Sequence, residues 1–199
     1  MSDLFKKNMT FIVEKVNIPK ADIFDFIGTA GEEEYLESYS FYQEALDNHA
    51  NYDILPSFFY FKNSTEFNAK AKKTKDGFYL IEINKGIPDF FYGRLVTYFD
   101  LAYLDNYKIL ESKLQNSIGK LIYQSIMHFT FYHELGHLIQ FTDSDEKDIN
   151  EFLIKGNEYS IEAHCEELDA DLFASISVST HIYEYLEKIT SLTVLTKDN

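Results

Sequence analysis

Tryptophan is absent from this chain, and cysteine occurs once in its 199 residues, at Cys165. One cysteine closes no disulfide within the chain, so a disulfide-stapled fold is excluded and a reducing compartment fits best. Positive charge is scarce as well. Eighteen Lys and Arg stand against 33 Asp and Glu, a net charge of −15. A surface of that sign repels phosphate backbones and anionic lipid, which argues against nucleic-acid and polybasic membrane partners. Long apolar runs are missing too. Even the apolar stretch from Leu121 to Phe141 carries Gln124, His128, His133, Glu134 and His137, and no segment approaches the twenty apolar residues that cross a bilayer. The first residues, Met1-Ser2-Asp3-Leu4-Phe5-Lys6-Lys7, show neither an apolar core nor a small-residue cleavage site. The expectation is a soluble, cytoplasmic protein.

What the chain does hold is aromatic. Eighteen Phe and 15 Tyr suit a core or the walls of a cleft. The length suits one domain over 1–199, with residues 1–20 read as a short helix or a loose N-terminal arm. Acidic and aromatic residues from Ala21 to Asn48 suit a helix exposed on one side. Ser57–Lys62 and Gly77–Asn84 are rich in aromatic and β-branched residues and read as strands, with a further strand near Asn68–Ala71 and a Lys-rich turn at Lys72–Gly77. Together these predict a small antiparallel sheet. After Gly86 the spacing turns helical. Pro88 opens one helix, Asp105-Asn106 is a break, and a long helix runs over about Ile109–Phe141. A polar loop follows at Thr142–Gly156, then helices over Ser160–Ser175 and about Thr180–Ile189. The fold class predicted is α+β, a small sheet beside a mainly helical core.

The chemistry concentrates at two places. His133-Glu134-Leu135-Gly136-His137 puts two histidines four residues apart on one helix face, where both reach a single metal ion, with Glu134 between them as general base. Buried charge in so apolar a segment is costly without a purpose. Catalytic zinc takes three protein ligands and keeps a fourth position open. Glu167 is the preferred third ligand, because Asp171 lies four residues on and can accept the free ring N–H of one histidine. Ala163, Ala170 and Ala174 are small enough to let that helix come close. Asp143 is an alternative third ligand, although the residue three after His137 is Gln140 rather than the Gly of the metzincin pattern. Eleven acids lie within 142–171 against Lys147 and Lys155. They read either as a solvated face or as an acidic rim favouring cationic substrate segments.

His-Glu-Leu-Gly-His followed by Glu-Leu-Asp-Ala-Asp resembles the gluzincin zinc metallopeptidases, and most closely the branch of the CAAX prenyl proteases and HtpX. Compact soluble peptidases of the Lit and ImmA/IrrE types look similar in size. The resemblance covers about residues 65–174. It implies a zincin-like fold, a bound Zn2+ and hydrolysis of a peptide or protein substrate. It also implies that the strand Phe78–Ile83, preceded by Asn68–Ala71 and followed by Lys85-Gly86-Ile87, forms the edge on which peptide lies. Unlike the membrane-embedded relatives, this chain lacks transmembrane segments. Tyr159 and His181 fall loosely where thermolysin-like enzymes place their oxyanion-stabilising groups. His164 sits three residues before Glu167 and is read as bordering the metal or as a surface group, whereas His128 is read as packing elsewhere on its helix, His49 as lying in a loop without a partner, and Cys165 as structural. The competing function is a zinc-binding regulatory protein with little proteolytic activity; a retained Glu134 speaks against it. Oligomeric state has no signature in the sequence.

Overall fold

The computed structural model describes residues 2–49, 52–97, 111, 112, 114, 117–141 and 161–195. Helix α1 (Ser2–Lys15) is docked rather than loose, with Phe5 and Ile12 buried. A short turn at Lys20–Asp22 leads to Ile23, which bridges to Lys62, and then to helix α2 (Glu32–Asn48). Strands β1 (Ser57–Lys62), β2 (Ala69–Lys73) and β3 (Tyr79–Asn84) follow. Helix α3 (Gly86–Phe91) continues into a π-helical stretch, Tyr92–Thr97. Helix α4 (Ile118–Gln140) starts at Ser117, whose side chain accepts from the Lys120 N–H at 3.0 Å. That hydroxyl satisfies one of the donors every helix start leaves open. Helix α5 spans Ile161–Leu195. The architecture is α+β.

The sheet departs from the expected antiparallel arrangement. Its order is β1-β3-β2, with β3 antiparallel to β2 but parallel to β1. The reason lies in β3, Tyr-Leu-Ile-Glu-Ile-Asn, in which all six residues are buried. A strand covered on both faces belongs at the centre of a sheet. The turn through Thr74 and Gly77 (φ +81°) folds β2 back on one side of it, and β1 takes the other. The edge strands are therefore β1 and β2, and Phe78–Ile83, expected at the edge, is central. Alternation assigns the faces. Tyr60 and Leu80 pack with Ile12 and Ile23, while Phe59, Phe61, Ile81 and Ile83 pack against the aromatic core from α2 and α4, including Tyr39, Tyr42 and Phe131.

The C-terminal half also differs from expectation. The two helices expected after residue 160 are one. Between them the chain reads Ile176-Ser177-Val178-Ser179-Thr180, without Gly or Pro. Ser177 and Thr180 donate their hydroxyls to the carbonyls of Phe173 and Ile176, four residues back, at 2.9 Å each. Bonded that way, they sit inside a helix without stopping it. The break at Asp105-Asn106 and the loop 142–156 lie outside the described residues.

Candidate metal centre

Helices α4 and α5 touch at their smallest residues. A Cβ added to Gly136 would stand 3.0 Å from the Ala170 Cα and 3.2 Å from its Cβ. Ala170 and Ala174 are completely buried there. Glycine in a helix interior costs about 1 kcal/mol relative to alanine, and here it permits the close approach that brings Glu167 to the histidines.

The resulting cluster is tight. The His133 and His137 Nε2 atoms are 3.1 Å apart. Glu167 Oε2 is 3.4 Å from His133 Nε2, and Glu167 Oε1 is 3.5 Å from His137 Nε2. Zinc bonds of 2.0–2.1 Å at tetrahedral angles put neighbouring ligand atoms about 3.3 Å apart. The three separations fall around that value. The residues present therefore fit a zinc ion by distance and by donor type, two imidazoles and a carboxylate.

The far side of each ring is tied down. Asp171 Oδ1 lies 2.9 Å from His133 Nδ1, and Gln140 Oε1 lies 2.9 Å from His137 Nδ1. Gln140 is itself oriented, because its amide N–H donates to the Glu166 carbonyl at 2.8 Å. With an acceptor facing each Nδ1, the proton belongs there, and each Nε2 turns a lone pair toward the centre. Three electron-rich groups facing one another without a cation between them are mutually repulsive. A metal ion relieves that repulsion.

Glu134 points from the same helix into a buried setting, 9% exposed. Its carboxyl is pushed up to about 8, chiefly by burial and further by the charges of Glu167 and Glu82, against the Ala71 backbone N–H and the charge of Lys70, which pull it down. The donor from β2 ties the carboxyl to the edge of the sheet. Nothing in the pattern of residues 68–73 announced that contact. Gly136 and Gln140 also escaped the motif reading, although a helical glycine and a polar residue one turn past His137 were the available signals.

Other residues singled out in the sequence lie elsewhere. His181 is on the same unbroken helix as Glu167 but fourteen residues further, about 21 Å along its axis. It is not brought to the cluster; its Nε2 meets the Tyr132 hydroxyl at 2.7 Å. His128 is stacked on Phe41 at 4.6 Å between ring centres. His49 closes α2 rather than standing in a loop without a partner, its Nδ1 2.7 Å from the Ala45 carbonyl. His164 and Cys165 are exposed. Tyr159 and Asp143 lie outside the described residues. Among the described residues, no helix is long and apolar enough to cross a membrane. No protein-family description, curated protein or solved structure matches the chain.

Proposed function

We propose that the chain is a zinc-dependent metallopeptidase of gluzincin type, zincin-like in fold, cytoplasmic, and acting on a peptide or protein substrate. One observation carries the reading. Two imidazole Nε2 atoms and a carboxylate converge at zinc-like spacing, each ring is held from behind by an acceptor, and a buried Glu stands between the two histidines in sequence. A structural site would close with a fourth protein ligand, and among the described residues the cluster has three.

Zinc held there would supply a Lewis acid for the scissile carbonyl and acidify a water molecule. The chain's own residues do the rest. His133, His137 and Glu167 hold the ion. Asp171 and Gln140 hold the two rings in orientation. Glu134, positioned by the Ala71 N–H, takes the proton from the attacking water at its carboxylate and returns it to the leaving amine.

The test is cleavage of a peptide library by the zinc-loaded chain beside Glu134→Gln. The expected result is cleavage by the parent chain, and in Glu134→Gln full zinc content with cleavage reduced by roughly 10²–10⁴-fold. Zinc-dependent cleavage that persists at full rate in Glu134→Gln contradicts the assignment of the base.

A further inference from the structure

Helix α5 is apolar on two opposite sides. One side meets α4 at Ala170 and Ala174, both completely buried. Two residues along a helix make a rotation of about 200°, so Leu168 and Leu172, which flank Ala170, point the other way. They are 53% and 59% exposed. Ile161, Ile176, Ile182 and Tyr183 are exposed with them, by 46–70%. A helix with apolar residues on both sides is normally covered on both.

The exposed side forms one straight seam. From Ile161 it steps alternately four and three residues, through Cys165, Leu168, Leu172, Ser175 and Ser179 to Ile182. That is the spacing with which one helix meets another along its length. Ile176 and Tyr183 widen the seam on one edge. At about 200 Å² for a large side chain in full exposure, the six exposed apolar residues offer on the order of 700 Å². The largest apolar patch on a typical monomer is about 300–600 Å², whereas each partner in a standard interface contributes about 800 Å².

We infer that this seam binds the same seam of a second copy of the chain, antiparallel, in a two-fold dimer. Self-complementarity sets the direction. About an axis passing between Phe173 and Ala174, Leu168 and Leu172 stand opposite the partner's Ser179 and the partner's Ser175, large against small. Cys165 stands opposite the partner's Ile182 in the same register. Parallel pairing would instead set each serine against its own copy, and Asp169 and Asp171 level with the same acids, where like charges repel. The antiparallel register moves those two acids level with the partner's Val178 and the partner's Ile176. The net charge of −15 on each copy opposes association at range, and salt screens that repulsion. The inference stands apart from the metallopeptidase reading, since the seam contains none of the metal ligands.

Sedimentation velocity of the full-length chain at about 100 μM is expected to give a dimer, tighter in about 0.5 M salt than in about 0.1 M. Leu172→Glu sets a carboxylate into each of two symmetric apolar layers and should weaken the dimer on the order of 100-fold. Its helical circular dichroism should be unchanged, because position 172 is exposed in the single chain. Ile182→Ser carries the same test, as a smaller weakening, if Leu172→Glu does not fold. Direction is read with oxidised glutathione. Ile182→Cys should link position 182 of one copy to Cys165 of the other, while the parent chain should not link Cys165 to its own copy. A chain that stays monomeric in high salt, as it would if its own residues 142–160 covered the seam, overturns the proposal. So does a dimer that neither substitution weakens, or one that joins Cys165 to Cys165.

Discussion

Histidines meet at two places along helices α4 and α5, and the two meetings have opposite outcomes. Near Gly136 the rings of His133 and His137 are held from behind by Asp171 and Gln140, and their lone pairs converge with Glu167. Further along the same helices, His128 and His181 lie 5.7 Å apart between ring centres, among Phe41, Tyr42 and Tyr132. There Tyr42 meets one ring nitrogen of His128, and Tyr132 meets one of His181. Residue type is the same in both places, so it cannot be what makes a metal site. What differs is where the second nitrogen points and whether a carboxylate joins. An acceptor behind the ring frees a lone pair in front; a hydroxyl in front uses it.

The sharpest way to separate the two pairs is acid. Burial, helped by the neighbouring His181, pushes His128 from 6.5 down to about 4. Its folded-state pKa is thus below its unfolded value, so the folded protein binds fewer protons between those limits. Stability is then complete above pH 6.5 and falls as the pH drops toward 4, by about 3 kcal/mol in all. Denaturant unfolding of His128→Phe should lose that part of the acid sensitivity and leave zinc content unchanged. A zinc loss in His128→Phe would show that the two pairs are not independent.

The helix contact comes next in size. Gly136→Val puts a branched side chain against Ala170, and such overpacking costs about 1–3 kcal/mol. The melting temperature should fall, and zinc affinity with it, because the contact that is forced open positions Glu167. A variant that melts lower but binds zinc as before would detach the metal site from the helix packing.

The smallest of these effects is expected behind the rings. Asp171→Ala removes the acceptor of the His133 Nδ1–H and should weaken zinc binding roughly 10–100-fold, measured by competition with a chromophoric chelator. Gln140→Ala should weaken it less, since a neutral amide polarises the imidazole less than a carboxylate does. Equal affinities in all three proteins would mean that ring orientation is set by packing alone.

These contrasts also mark what could be read in the residues. His133 and His137 are four residues apart with Glu134 between them, and Glu167 and Asp171 are again four apart. Local helical spacing therefore places each pair on a face, and the structure brings the two faces together. Strands β1 and β3 were legible from their aromatic and β-branched runs. Their parallel pairing was not, because it depends on which strand the fold buries on both sides, a property of the whole assembly. The same holds for the edge. A strand near Asn68–Ala71 was expected, but its place at one edge, antiparallel to β3 with Lys72 ion-paired to Glu82, belongs to the assembled sheet. The spacing predicts one helix ending at Ser175 and another starting near Thr180; the back-bonded hydroxyls of Ser177 and Thr180 sit instead within one continuous helix. His181 shows the limit of motif offsets, since sequence order along one continuous helix measures distance in 1.5 Å steps and carries it away from the site.

The central claim is that His133, His137 and Glu167 jointly hold one zinc ion. Isothermal titration of the metal-free chain with zinc, beside Glu167→Ala, tests it most directly. The account predicts one zinc bound per chain, with an affinity loss in Glu167→Ala larger than the roughly 10–100-fold expected when an acceptor behind a ligand is removed. A chain that binds no zinc, or a Glu167→Ala variant that binds it as tightly as the parent, would contradict it.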